Sequence, residues 1–233
     1  MLEEVLRSGF AEMGIAADGT AIGRFRGYYD ALEAKNAVMN LTAIRGEDES
    51  ARLHFLDSAS PLLLGSLAGR RVIDVGTGAG FPGLPLKILE PEMQLTLLDS
   101  LGKRVDFLRE VCTALSLPGV ECVHGRAEEP GERRETYDAA VSRAVARLSV
   151  LCELCLPYVK PGGVFYALKG PGAAEELAEA QRAVATLGGR VERIFDYAVP
   201  GEALRHNIVV IRKASPTPKK YPRRFALIKK SPL

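Results

Sequence analysis

The chain lacks the features of a secreted, metal-stapled or membrane-borne protein. Only four cysteines, Cys112, Cys122, Cys152 and Cys155, are spread through 233 residues, too few for a disulfide framework at this size. Cys152 and Cys155 form a C-x-x-C pair, but the three histidines are scattered, so the further ligands that zinc requires are missing. Within the apolar stretch Leu148 to Leu156 the pair reads as core thiols on a helix. No segment approaches the roughly 20 apolar residues of a membrane span. Met1-Leu2-Glu3-Glu4 shows no basic region followed by an apolar run, so the expectation is a cytoplasmic protein without a signal peptide. In that compartment Asn40-Leu41-Thr42 matches a glycosylation sequon by chance alone. There is no internal repeat. Hydrophobic residues at 47% and charged residues at 26% are ordinary globular values and exclude disordered or fibrous classes.

Acids are missing from one end of the chain. None follows Glu202, and the last 31 residues carry nine Lys or Arg, although the whole chain has a net charge of only +2. Lys219, Lys220, Arg223 and Arg224 are interleaved with Tyr221 and Phe225, a mixture that suits neutralising phosphates and stacking on bases. A solvated, frayed terminus reads equally well from composition alone.

Residues 1–69 are helical in pattern. Asp18 can cap a long helix carrying Ile22, Phe25, Tyr28, Tyr29, Leu32 and Val38 on or near one face, ending at Asn36 to Asn40. A second helical stretch runs from Glu47 through His54 to Leu67. From Arg71 onward strands and helices alternate, which predicts a parallel sheet with helices on both faces. Strands are expected at Val72–Val75, Gln94–Leu98, Val120–His124, Ala139–Ser142, Gly163–Leu168, Arg190–Ala198 and Asn207–Arg212. The last two are joined by a short turn at Pro200-Gly201, which puts an antiparallel strand into the sheet. The expected organisation is a helical region (1–69) packed on an α/β core (70–213), followed by a basic tail (214–233).

Asp74-Val75-Gly76-Thr77-Gly78-Ala79-Gly80-Phe81-Pro82-Gly83 sits between the first strand and an apolar helix. Glycines there let the backbone turn at positive φ and let a ligand approach, while the helix start offers free N–H groups. The order D-x-G-x-G-x-G resembles the first motif of methyltransferases that use S-adenosylmethionine (SAM). G-x-G-x-x-G at Gly78, Gly80 and Gly83 also fits a dinucleotide, so the glycines alone leave both open. The terminal hairpin matches the class I SAM-methyltransferase arrangement, since a dinucleotide half-domain would keep alternating.

Ligands of such sheets bind outside the carboxyl ends of the strands. The second end offers Asp99, Ser100 and Leu101, with Asp99 placed 19 positions beyond Gly80 to accept from ribose hydroxyls or to cap the next helix. The third offers Arg126, Ala127, Glu128 and Glu129, where an acceptor can take an adenine amino group or a solvated acid pair can sit. The fourth is Ser142-Arg143-Ala144-Val145-Ala146, beside the reacting end of a cofactor. The fifth ends at Lys169-Gly170, which is also an ordinary place for a loop cation. Arg126 and Arg143 can equally pair with nearby acids, and His54 reads as readily as a structural histidine.

Asn40-Leu41-Thr42-Ala43-Ile44, His54-Phe55-Leu56-Asp57-Ser58, Asp74 to Gly83, Leu97 to Arg104, Ser142 to Ala146 and Tyr166-Ala167-Leu168-Lys169-Gly170 occur in that order. Together they resemble the bacterial small-subunit rRNA guanine-N7 methyltransferase family, formerly called glucose-inhibited division protein B, over nearly the whole chain. The resemblance implies SAM as cofactor and N7 of one guanine in the 530 loop of 16S rRNA as acceptor, met in the small subunit or an assembly intermediate. By motif position it implies cofactor contacts at Gly76, Phe81, Asp99 to Leu101, Ala127, Glu128 and Arg143, beside Asp74, Gly78 and Gly80 from the glycine segment. The RNA path is expected to include Arg126, Lys169, Asn40 and His54, with Lys219, Lys220, Arg223 and Arg224 from the tail. The tail is expected to serve RNA without touching the cofactor.

Guanine N7 carries an in-plane lone pair and no proton, so neither a general base nor a covalent nucleophile is needed. The chain has no N-P-P-Y-like segment and no Pro-Cys dipeptide, which suits that acceptor. Arg143 is expected to position the cofactor carboxylate or guanine O6, and the neutral-range pH profile to lack a steep limb. The competing readings are an NAD-dependent oxidoreductase and a non-catalytic RNA-binding protein.

Overall fold

The computed structural model describes residues 1–143 and 146–233; Ala144 and Val145 of the Ser142 to Ala146 segment lie outside the described residues. One seven-stranded sheet has the order β3-β2-β1-β4-β5-β7-β6. Its strands are β1 (Arg71–Val75), β2 (Gln94–Asp99), β3 (Val120–His124), β4 (Tyr137–Arg143), β5 (Val159–Lys169), β6 (Gly189–Ala198) and β7 (Arg205–Lys213). The first five run parallel, and β7 lies antiparallel to both β5 and β6. All seven expected strands are present, six of them longer by one to five residues. Strand order reverses at β1, which has β2 on one side and β4 on the other. That switch opens a crevice at their carboxyl ends. Being central, β1 is buried at Val72, Ile73, Asp74 and Val75 alike, so it shows a continuous run instead of alternation.

Helices α5 (Gly83–Leu89), α6 (Gly102–Ala114), α7 (Leu148–Cys155) and α8 (Ala173–Thr186) cover the sheet. Cys152 and Cys155 are fully buried on α7, and burial pushes both thiols up. Among the described residues no helix is long and apolar enough to cross a membrane.

The first 64 residues are helical: α1 (Leu2–Met13), α2 (Gly19–Met39), then a run 47–64. That run joins α3 (Glu47–Glu49), a π-helical stretch Ser50–Leu56, α4 (Asp57–Ala59) and a 3-10 turn Ser60–Leu64. Asp18 caps α2 by accepting from the Ala21 N–H at 2.7 Å, as its side chain and position predict. Asn40 ends the helix in the left-handed conformation, φ 50°. Val38 is 80% exposed, which corrects its expected place on the buried face. The inward ladder is Ile22, Phe25, Tyr28, Leu32 and Asn36, steps of three and four that skip position 38. Asn36 is buried because its amide bonds both the N–H and the C=O of Thr42, each at 3.0 Å.

Aromatic rings tie this region to the sheet. Phe10 meets Phe25 at 5.4 Å, Phe25 meets Phe55 at 5.1 Å, and Tyr28 stacks on Phe81 at 5.4 Å. The Tyr28 hydroxyl donates to the Ala79 carbonyl of the glycine turn. The helices and the sheet therefore share one apolar core.

The tail is folded back rather than frayed. Arg134 donates to the carbonyls of Thr217 and Tyr221, each at 2.7 Å, and a short helix α9 (Phe225–Lys230) buries Ile228. Arg223 grips fully buried Glu153 through its N–H, Nε and Nη2 at 2.6–2.8 Å.

Candidate active site

The crevice holds a cavity of about 480 Å³. The turn after β1 forms its floor, and a buried carboxylate that does not line it builds that turn. Asp74 Oδ2 accepts from Thr77 Oγ1 at 2.7 Å and from the Gly83 N–H at 2.8 Å, while Oδ1 is buried without a partner. Burial raises the Asp74 pKa to about 7 against the opposing pull of those two bonds. A Cβ at Gly83 would lie 2.8 Å from Asp74 Oδ2, and one at Gly80, where φ is +110°, would lie 2.5 Å from the Tyr28 hydroxyl. Both positions need glycine for packing beneath the cavity. Asp74 and Gly80 thus shape the turn from behind, whereas Gly76, Gly78 and Phe81 line the cavity.

Asp99, at the end of β2 and 4% exposed, faces the cavity from the opposite wall. Its Oδ2 accepts from the Gly78 N–H and its Oδ1 from the Leu101 N–H, both at 2.9 Å. The carboxylate both fixes the start of α6 and keeps lone pairs for a ligand, since an ionised carboxylate has about four acceptor sites. Ser100 lines the cavity and Leu101, half exposed, stands outside it. Beyond β3, Ala127 and Glu128 complete the wall with Arg126 at its edge. The largely exposed Arg126 approaches the mostly covered Glu128 at 3.6 Å.

Arg143, from the end of β4, separates this cavity from a second of about 600 Å³. Its Nη1 donates to the Leu53 carbonyl and to Asp57 Oδ2, each at 2.8 Å, and its guanidinium lies 5.0 Å from the centre of the Phe81 ring. Its Nη2 sits 3.2 Å from His54 Nδ1. Arginine offers donors only, so Nδ1 is the acceptor and Nε2 carries the proton toward Thr42 Oγ1 at 2.7 Å. Burial first, and then the neighbouring Arg143 charge, lowers the His54 pKa to about 3. The imidazole is neutral and stacked on Phe81, with 4.2 Å between ring centres.

Asp57 is the hub. Oδ2 takes Arg143, while Oδ1 takes the Tyr197 hydroxyl and His206 Nδ1, both at 2.7 Å. Burial pushes its pKa up, but His206, Arg143 and Tyr197 together hold it below the ordinary value. The same bond raises the His206 pKa above the ordinary histidine value.

Some expected RNA contacts are committed elsewhere. Lys169 is nearly buried, donating to the Ala146 carbonyl and to Glu176 at 2.8 Å, so it is a structural cation and not a free one. Arg223 is spent on Glu153 and on the Ser231 carbonyl. His54 brings no charge. Asn40 serves as a helix cap next to Leu41 and Thr42, which line the cavity. Lys219, Lys220 and Arg224 are exposed. Sequence reading missed Tyr197 and His206, and gave Asp57 no role beyond its place in His-Phe-Leu-Asp-Ser. It read Phe225 as an aromatic residue of the tail suited to stacking on RNA bases, whereas Phe225 lines the first cavity together with Leu154 of α7.

Similarities to known proteins agree with this geometry. The fold is that of the Rossmann-like class I methyltransferases. A SAM-dependent methyltransferase from Aquifex aeolicus superposes with a TM-score of 0.54 at 23% identity, over 70% of this chain and 94% of that one. TYW2 of P. horikoshii, solved in complex with MeSAdo, gives 0.54 at 14% identity over 68% and 62%. The family model for rRNA small subunit methyltransferase G matches residues 21–204. Ribosomal RNA small subunit methyltransferase G of Alkaliphilus metalliredigens is 47% identical over 98% of each chain, and that of Clostridium botulinum (Loch Maree) is 43% identical over 98% of each. The chain belongs to the rRNA small subunit methyltransferase G family and is a methyltransferase.

Replacing Asp57 by alanine leaves Arg143 and His206 without their shared carboxylate in a buried setting. Removing one partner of such a pair costs about 3–5 kcal/mol, so urea unfolding of Asp57→Ala should show a loss of that order; a change below about 1 kcal/mol would remove Asp57 from the centre of the network.

Proposed function

We propose that the protein transfers a methyl group from SAM to N7 of a guanine in the 530 loop of 16S rRNA, met in the small subunit or an assembly intermediate. The observation that carries this reading is the junction of the two cavities at Arg143 and His54. On one side, a wall with Asp99, Glu128 and side-chain-free glycines fits an adenosyl ligand, with Asp99 available to ribose hydroxyls. On the other, about 600 Å³ falls within the range of small-molecule sites and leaves room for an extruded base. SAM supplies an electrophilic methyl on a positively charged sulfur.

Among the described residues no general base stands free at the junction. His54 is neutral, with Nδ1 taken by Arg143 and its proton directed at Thr42, and both Asp57 oxygens are occupied. An acceptor nitrogen without a proton is the chemistry that such a site can serve. The chain contributes alignment, a term worth roughly 7–11 kcal/mol at best. Arg143 is held by Asp57 and the Leu53 carbonyl, which favours a donor to the cofactor carboxylate or guanine O6 over a residue placed above N7, where its charge would oppose the positive charge arriving on the base.

The NAD reading has no support from family membership. Incubating the protein with labelled SAM and small subunits should label 16S rRNA alone, and digestion should release 7-methylguanosine; label on another position, or none, would refute the assignment. Arg143→Ala should lower turnover and SAM affinity together, and a variant unchanged in both would exclude Arg143 from the site.

Arg126, the Asn40 turn and the exposed cations Lys219, Lys220 and Arg224 are the proposed RNA path. Each phosphate contact on single-stranded nucleic acid adds about 0.7 to the slope of log affinity against log salt. The triple variant Lys219→Ala, Lys220→Ala, Arg224→Ala should flatten that slope by roughly 1–2, and an equal slope would place RNA elsewhere.

A further inference from the structure

The C-terminal segment enters the cofactor cavity. Of the eight phenylalanines, Phe225 is the exposed one, at 40%, and it lines the first cavity. Such a residue at the start of a basic terminal helix would ordinarily be ascribed to a loose end. Here it is held by fixed anchors on both sides. Upstream, Thr217 donates its hydroxyl to the Leu187 carbonyl at 2.8 Å and its N–H to Glu135 at 2.7 Å, and Arg134 holds the carbonyls of Thr217 and Tyr221. Two positions before Phe225, Arg223 closes on fully buried Glu153. Three positions after it, Ile228 is buried in the core around α7.

These anchors decide which end of the cavity the ring covers. Glu153 adjoins Leu154, which lines the cavity. Just past α7, the Tyr158 hydroxyl donates to the Ala127 carbonyl at 3.1 Å, fixing the loop that carries Ala127 and Glu128. Phe225 therefore closes the end formed by Leu154, Ala127 and Glu128, away from Arg143 and the junction with the second cavity. That end joins the apolar Leu154 and Ala127 to one carboxylate, with the exposed Arg126 at its rim, which suits a flat heteroaromatic ring carrying an amino group.

We propose that Phe225 is a cofactor-contact residue, its ring forming an aromatic wall for the adenine of SAM. This rests on the methyltransferase reading of the same cavity. Phe225 lies beyond the stretch matched by the family model, which ends at residue 204. The tail then has two functions in one short segment: Phe225 faces the cofactor, while Lys219, Lys220 and Arg224 face solvent. The expectation that the tail serves RNA alone is revised accordingly.

Stacking of a base on an aromatic side chain is worth enough that alanine substitution weakens binding roughly 5- to 150-fold. The test is titration calorimetry of the full-length protein with two ligands: SAM, and 5′-methylthioadenosine, which keeps the adenosine and lacks the amino-acid end. Phe225→Ala should weaken both by a similar factor within that range, Phe225→Trp should restore both, and the thermal midpoint of the free protein should move little. Unchanged affinity in Phe225→Ala would overturn the proposal, as would a loss confined to SAM or one that tryptophan fails to restore. If the unaltered protein bound neither ligand, the methyltransferase reading itself would fall, which is a separate result.

Discussion

Asp57 gathers charge and hydrogen bonds from three regions that are distant in the chain. Arg143 reaches it from the end of β4, Tyr197 from β6 and His206 from β7, while Asp57 itself belongs to the helical run of the N-terminal region. The sheet could form without this contact, but the two cavities could not share a wall. An ionised carboxylate this deeply buried is costly unless hydrogen-bonded, and here Arg143, Tyr197 and His206 supply three donors. Arg143 depends on the same arrangement, because a guanidinium wedged against Phe81 and His54 needs a counter-charge that does not wander. Asp57 lines the second cavity itself and fixes the arginine that parts it from the first.

The other two acids of the site have divided their work. Asp74 is wholly enclosed, carries an unpartnered oxygen and is pushed toward neutrality; it acts on the backbone and shapes the turn. Asp99 also binds backbone, but from the cavity wall. A motif that places one acid before the glycines and another at the end of the next strand thus describes a support behind the turn and an acid on the cavity wall, in that order. Both are aspartates and both are buried, and what separates them is that Asp99 alone lines the cavity.

Much of this architecture was legible in the linear sequence, because its signals are local. Seven strands followed from apolar runs between turn residues, the antiparallel edge from a hairpin too short for a helix, and the start of α2 from Asp18. The glycine turn and Asp99 were legible for the same reason. The Asp57 hub was not, since its partners lie 86, 140 and 149 positions away and Tyr197 and His206 carry no motif of their own. Nor could charge patterning distinguish Lys169 and Arg223, each paired with an acid, from Lys219, Lys220 and Arg224, which are exposed. Val38 failed for a simpler reason: it is apolar, but out of step with the helical repeat.

The π-helical stretch Ser50–Leu56 adds a constraint on length that substitution data would not reveal. A π turn arises when one extra residue is accommodated inside an α-helix, and each residue of an α-helix accounts for about 100° of rotation. Deleting a single position there would let the ordinary gauge return and swing His54 and Asp57 about a quarter turn relative to each other's present partners. The segment can therefore tolerate many exchanges of side chain on its outer surface, yet no shortening. Chains that descend from a common ancestor with this one should keep the spacing between Thr42 and Asp57 even where the intervening letters drift.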